Sequence, residues 1–463
     1  MRRDIMHQNF LDIFKKALDG PVMTENDFEM KRFMPKVGEI TRKYGIKYDK
    51  DNPVPDDDRA ADNLFNAAVE FLKEVGVYCQ DTNRVMEFSE EEIKYSIRNV
   101  KTECKAGDGV ESGIFGPRKP DDNKLPWFHV GSGIVCSSKE IMYNLIEAYA
   151  SIKEADSISI SALDSIRGIP VSVGSPAELY AAIEGVKVGR DALRRAGRPG
   201  LPIMNLISTA ASAETTIAAS VPQFGLRPSD GWLCGAISEM KVDYGVLNKI
   251  AYLLNWGANI GAETSPILGG YAGGPEGTAL VSAAYIIMGV VVMMADYQLT
   301  FPFHFNFGCS TSRDVLWAVA SSCQATSRNL PSPVIWLGYI GAGPNTRQYF
   351  YESAAHILTA VTSGAPSEQT PHPAKAVKVD GITPMEAIFA VETTKAASKL
   401  NRHQANEIVK KLLEKYEPNL SDPPEGNIYQ EVYNIKTGKP NDEYIKLYDE
   451  VKEELFKIGI PYE

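Results

Sequence analysis

Glu263-Thr-Ser-Pro-Ile-Leu-Gly-Gly-Tyr-Ala-Gly-Gly-Pro-Glu276 follows the strand-like run Ala258–Ala262 and leads into a long apolar stretch. An extended run that ends in a carboxylate, a glycine-crowded turn and a proline at the start of a helical pattern together read as a β-to-α transition. Gly269, Gly270, Gly273 and Gly274 permit positive φ and let backbone come close to a large ligand such as a cofactor. Working outward, the same unit recurs. Further strand candidates are Ser157–Leu163, Leu201–Ile207, Leu233–Ser238, Phe301–Phe307 and Val334–Tyr339, and most are followed by helical stretches such as Ser312–Ser327 and Asn345–Thr362. Repeated β-then-α units imply a parallel sheet. Six or seven strands can be counted, and the spacing does not separate a closed eight-stranded barrel from an open doubly wound sheet.

Helix starts are written in side-chain chemistry. Ser89-x-x-Glu92 and Ser137-x-x-Glu140 read as capping boxes, and Ser175-Pro176-x-Glu178 adds a first-turn proline to a helix that stops at Gly197. Residues 1–125 read as a helical N-terminal extension, with 105–125 a surface loop rich in Gly, Asp, Pro and Lys. Residues 126–400 carry the β/α repeat, and 401–463 form a charged C-terminal extension with an amphipathic helix at Asp442–Ile458. The run Thr278–Ala295 is 18 residues of almost unbroken apolar character, at the lower edge of a membrane span. Ser282, Gly289 and the closing Asp296 favour a helix buried between the sheet and a neighbouring subunit.

The chain has 463 residues and a net charge of −11, which argues against nucleic acid or an anionic membrane as main partner. Six dispersed cysteines without a CxxC pair suit a reducing cytoplasm. The first residues lack the apolar core of a signal peptide. No zinc pattern occurs and no GxGxxG follows a strand, so neither a metal nor a dinucleotide site is indicated. No histidine sits in the DxHxxG loop of cobalamin-binding domains, so a corrinoid would have to arrive on another protein.

In a parallel barrel the residues just past the strand ends line the active face. Here these are Asp164, Arg167, Ser208, Thr209, Glu239, Glu263, Asn306 and Tyr339. Glu239 and Glu263 close strand-like runs and would share one mouth, where paired carboxylates bind a cation or share a proton. Their bland reading is helix-start acids or surface partners of lysine. Arg167-Gly168 and Ala196-Gly197-Arg198-Pro199-Gly200 could hold an anion, although arginine after a helix also complements its dipole. His304 on an apolar run could act as a base, but a lone histidine there is more often a satisfied core residue.

Nearly the whole chain resembles the monomethylamine:corrinoid methyltransferases. The likeness lies in ordered islands: Gly76-Val77-Tyr78-Cys79-x-Asp81-Thr82, Arg167-Gly168, the 196–200 loop, Gly269–Gly274, Ala342-Gly343-Pro344 and Gln430-Glu431-x-Tyr433-x-x-Lys436-Thr437. The resemblance implies a TIM-type (β/α)8 barrel with helical N- and C-terminal additions, a homo-oligomer, and an acidic mouth that docks a methyl-accepting corrinoid protein. It carries Glu239 and Glu263 onto the family's two active-site glutamates and Tyr339 onto its tyrosine, while its glutamine falls at Leu337. That family's pyrrolysine captures the amine. Here Ser212-Ala213-Glu214 holds only standard residues, with Glu214, or Ala213 one residue earlier, at the pyrrolysine position. The expectation is a pyrrolysine-independent methyltransferase for a cationic N-methyl or S-methyl compound. Glu214, Glu239, Glu263 and Tyr339 would form its centre. Tyr271, Asn306 and Arg167 would bind substrate, with Tyr271 and Tyr339 offering cation–π contact. The alternatives are a true monomethylamine enzyme and a non-catalytic homologue that only binds a methylated solute or the corrinoid partner.

Overall fold

The computed structural model describes residues 2–206 and 212–462. Its centre is a ring of eight parallel strands: β1 (Trp127–Gly131), β2 (Ser157–Ile160), β3 (Ile203–Leu206), β4 (Gly231–Gly235), β5 (Asn259–Thr264), β6 (Tyr297–Thr300), β7 (Val334–Trp336) and β8 (Ser367–Gln369). They are hydrogen-bonded in the order β4-β5-β6-β7-β8-β1-β2-β3, the cyclic order of the chain. At the seam β3 lies beside β4: a Cβ on Gly231 would sit 2.8 Å from the Cα of Met204. Ile203 N donates to Asp230 Oδ1 across it (2.9 Å). The expected TIM-type barrel is therefore present, nearly closed.

The helices are α1 (Arg2–Asp19), α2 (Met34–Tyr44), α3 (Asp58–Val75), α4 (Glu90–Arg98), α5 (Lys139–Ser151), α6 (Pro176–Arg195), α7 (Ala213–Ala219), α8 (Tyr244–Trp256), α9 (Pro275–Val291), α10 (Arg313–Asn329), α11 (Arg347–Thr362), α12 (Pro384–Ala397), α13 (Arg402–Tyr416) and α14 (Asp442–Ile458). Ser89 and Glu92 form the capping box that starts α4. The cap of α5 is displaced by one residue: Ser138 Oγ accepts from Ile141 N, while Ser137 bonds the Asp380 carboxylate instead.

Three expectations need correction. The apolar run Thr278–Ala295 is largely α9, and its cover is the chain's own N-terminal layer: α9 packs against α2, α3, α4 and α10. Among the described residues no helix is long and apolar enough to cross a membrane. Residues 105–125 are not simply a surface loop. Cys104–Ala106 and Gly113–Phe115 pair as a hairpin whose Cys104, Ala106 and Phe115 turn into the barrel's amino end. Lastly, the strand expected at Phe301–Phe307 is not the barrel strand: β6 ends earlier, at Thr300, and within the expected range Phe303–His304 forms a short separate strand paired in parallel with Ile267–Leu268. The apolar run continues because Phe301 and Phe303 line the mouth.

Candidate active site

Strand parity divides the barrel wall. Ile260 and Ala262 of β5, like Trp232 and Cys234 of β4, join the core between barrel and helices. The alternate residues face the lumen: a Cβ on Gly261 would meet the Tyr297 ring at 2.5 Å and Leu233 at 2.8 Å. Two residues on, Glu263 therefore projects inward at the carboxyl end of β5. Its surroundings on this side are apolar, since Met204, Leu233, Tyr297, Leu299, Ile335 and Leu337 pack together as one cluster. Burial holds the Glu263 carboxyl above the usual range, and buried Lys249 on α8 draws it partly back. Past the ends of β6 and β7, Phe301 and Tyr339 stack with ring centroids 4.9 Å apart and planes at 20°. Phe303 approaches Tyr339 at 6.2 Å, and His372, just past β8, stacks on it at 5.7 Å and 19°. Desolvation first, then the Glu263 charge, raises the Tyr339 hydroxyl, so it remains a donor at any working pH.

Glu239 occupies a tight turn beyond β4. Ile237 and Lys241 exchange both backbone hydrogen bonds across it (2.9 Å each). The Tyr285 hydroxyl of α9 accepts from Met240 N (2.7 Å) and donates to Ile237 O (3.3 Å). Lys241 is anchored to Glu25 and Glu29 of the N-terminal layer at 2.6 Å each. The Glu239 side chain is 1% exposed. Its Oε1 accepts from Ile267 N (3.2 Å), and Oε2 has no partner among the described residues. Desolvation pushes its pKa up to about 8. Glu239 and Glu263 each owe their shift to burial rather than to the other.

The opposite half of the lumen is polar, and sequence reasoning missed it. Trp127 Nε1 donates to Ser157 Oγ (2.7 Å), which also contacts His129 Nδ1 (2.8 Å). Asn205 Nδ2 donates to Ser159 Oγ (3.0 Å), and Gln369 Nε2 reaches Gly131 O (3.2 Å) and His372 Nε2 (3.3 Å). Burial drives His129 and His372 down to about 3, so both rings are neutral. The signal was the period-two alternation within strands already read as such, where Ser157 and Ser159 alternate with the outward-facing apolar residues and Asn205 meets Ser159.

The other candidates lie further out. Glu214 is exposed in the first turn of α7, and Ser208 and Thr209 fall outside the described residues. Arg167, with φ of +52°, is exposed at the tip of the hairpin Ser165–Ile166/Ile169–Pro170. Asn306 is exposed, its N–H directed at His304 Nδ1 (3.1 Å). His304 itself lies over the Phe307 ring (4.3 Å). The Tyr271 hydroxyl turns to Glu29 in the N-terminal layer. Gly269 and Gly273, with φ of +88° and +75°, close a small loop through Gly269 N to Gly273 O (2.8 Å). Their positive φ gives these glycines a conformational role, and Gly270 and Gly274 lead that loop into α9. Among the described residues no group of three His, Cys, Asp or Glu side chains is arranged to hold a metal ion.

A family model described as monomethylamine methyltransferase MtmB matches residues 8–460. Monomethylamine methyltransferase MtmB2 of Methanosarcina acetivorans is 31% identical over 458 residues, covering 97% of this chain and 98% of that one. MtmB of Methanosarcina mazei is also 31% identical, over 455 residues with the same coverage. Among solved structures, the crystal structure of Methanosarcina barkeri monomethylamine methyltransferase superposes with a TM-score of 0.92 at 30% identity, covering 98% of both chains. A second crystal structure, the hydroxylamine complex of MtmB, matches equally well.

Proposed function

Because the chain belongs to the monomethylamine methyltransferase family, we propose that it transfers a methyl group from a cationic N-methyl or S-methyl compound to the Co(I) of a corrinoid protein. We propose further that it does so without pyrrolysine, the Ser212-Ala213-Glu214 segment taking that position. The observation that carries the reading is Glu263, a carboxyl directed into a lumen wall built of Leu233, Leu299, Ile335 and Leu337. Its raised pKa reflects a carboxyl short of solvent that Lys249 compensates only in part, and a cationic guest in the lumen adds to that compensation. Against this apolar half of the wall a primary ammonium would have to turn its three N–H donors to Glu263 or across to the polar half, and each donor left unpaired costs about 1–3 kcal/mol. A quaternary ammonium or sulfonium brings none.

The corrinoid, held by the partner protein, supplies the Co(I) nucleophile. In the transfer the methyl carbon bonds to cobalt as its C–N or C–S bond breaks, and that bond's electron pair leaves on a neutral amine or thioether. Glu263 binds the cation and fixes which end enters. The Tyr339 hydroxyl, kept protonated, is available as a donor beside it. Glu239 is largely neutral at pH 7, so it adds no second full charge. Glu214, exposed at the start of α7, serves as the outer charge that draws cations to the mouth.

The test mixes the purified chain with a reduced corrinoid protein and a panel of methylamines, quaternary ammonium and sulfonium compounds, following the absorbance change of cobalt methylation. Methylation by a quaternary or sulfonium donor supports the reading. Methylation by methylamine alone replaces it with a monomethylamine enzyme. Silence across the panel, while a control methyltransferase methylates the same corrinoid protein, leaves a binding-only homologue.

A further inference from the structure

Glu263, Phe301, Tyr339 and His372 come from β5 and from just past β6, β7 and β8, four consecutive strands of the ring. The strand order sets them in a row along one side of the mouth. Tyr339 stands inside that row. Phe301 and Phe303 reach it from the β6 side and His372 from the β8 side, all within 25° of parallel. Both π faces of Tyr339 are therefore taken by other rings. Cation–π attraction requires an open face, with the charge within about 6 Å of the ring centre. Tyr339 cannot offer one, and Tyr271 is turned away to Glu29.

Phe301 is placed differently. One face lies on Tyr339, and the β5–β6 ladder sets Glu263 beside Leu299, two residues before Phe301 on the same face of the wall. Phe301 N donates to Thr264 O (3.2 Å), which fixes the residue beside the end of β5. The ring is only partly buried. We infer that Phe301, rather than Tyr339 or Tyr271, is the specificity-determining aromatic of the site, laying its free face on the methyl groups of an onium cation while Glu263 supplies the counter-charge. This rests on the cationic-donor reading above. Two features of the row agree with it. The stack behind Phe301 fixes the ring's orientation before the cation arrives, so little ordering cost remains at binding. At the far end His372 is neutral and adds no repulsion.

The test is calorimetric titration of the purified full chain with tetramethylammonium chloride and with 3,3-dimethylbutan-1-ol, whose tert-butyl group has the same shape without charge. Phe301→Leu keeps apolar volume and removes the π face. It is expected to weaken tetramethylammonium about 5- to 30-fold and the neutral alcohol by less than about twofold. Phe301→Trp, with the stronger π face, is expected to bind the cation at least as tightly as the parent while leaving the alcohol unchanged. Equal losses for cation and alcohol would reduce Phe301 to an apolar wall and overturn the inference, as would an unchanged cation affinity in Phe301→Leu. Should Phe301→Leu not fold, a cation affinity that falls in Phe301→Trp overturns it equally. A parent chain that ignores tetramethylammonium yet methylates cobalt from methylamine sinks the donor class itself, a failure visible before any variant is made.

Discussion

Replacing Glu239 by Gln should make the chain more resistant to unfolding at alkaline pH, and the gain can be worked from the turn that holds the acid. In the unfolded chain this carboxyl loses its proton near 4.5, its ordinary value, whereas in the folded chain burial delays the loss to about 8. Between those values the folded state holds more protons than the unfolded one, so each rise in pH favours unfolding. The contribution is intact below about 4.5 and is lost as pH rises through the folded value. Linkage gives a cost of roughly 2 kcal/mol at pH 6, growing to roughly 5 kcal/mol at pH 9. Glutamine cannot ionise and escapes this slope. Urea unfolding of parent and Glu239→Gln at pH 6, 7, 8 and 9 should therefore show the variant gaining about 2–3 kcal/mol on the parent across the series. A difference that stays level from pH 6 to 9 would mean that Glu239 ionises in the fold like an exposed carboxylate, and the argument from its burial would fail.

Glu263→Gln is expected to cut cobalt methylation by about 100-fold or more without lowering the unfolding midpoint, because it removes the charge but not the shape; retention of most activity in stopped-flow assays would refute its role. Glu214→Gln should slow productive capture of a cationic donor at low ionic strength and lose that effect at high salt, as screening shrinks an outer charge first. A salt-independent defect would move Glu214 into the chemistry. Asp230→Ala removes a fully buried carboxylate that pairs with Arg190 and accepts from Ile203 N (2.9 Å) and Arg227 N (2.5 Å). The stranded guanidinium should cost about 3–5 kcal/mol in denaturant titration. Gly261→Ala drives a methyl to within 2.5 Å of the Tyr297 ring, and a loss of about 1–3 kcal/mol is expected by the same measurement.

Much of the fold is legible in the residues because the outer faces of the strands are apolar. Runs around Ile158–Ile160 and Ile260–Ala262 pack under helices, and the acid that ends β5 marks where the wall stops. The helices carry their own punctuation: Pro176 and Gly197 bracket α6, and α14 has the bounds its amphipathic pattern gives. What could not be read has a common cause. The lumen is a second interior with its own polarity, so Ser367-Glu368-Gln369 looks too polar for a buried strand although all three residues are inside. Conversely Phe301 to Phe307 reads as one barrel strand, although only its Phe303–His304 step is paired, with Ile267–Leu268 beyond the barrel. The stack of Phe301, Tyr339 and His372 draws each ring from a separate β/α unit, and only the closure of the barrel brings them together.

The burial of α9 has a consequence for how the chain is made. Its cover includes α3, which leaves the ribosome about 200 residues earlier, between Val75 and Pro275. At about 5–20 residues per second, the apolar face of α3 waits on the order of 10–40 s for the helix it is shaped to meet. During that interval neither element can complete its core, and the nascent chain presents adhesive surface to whatever is nearby. Production of this protein should therefore respond to translation rate and to holding chaperones more sharply than its sequence composition suggests.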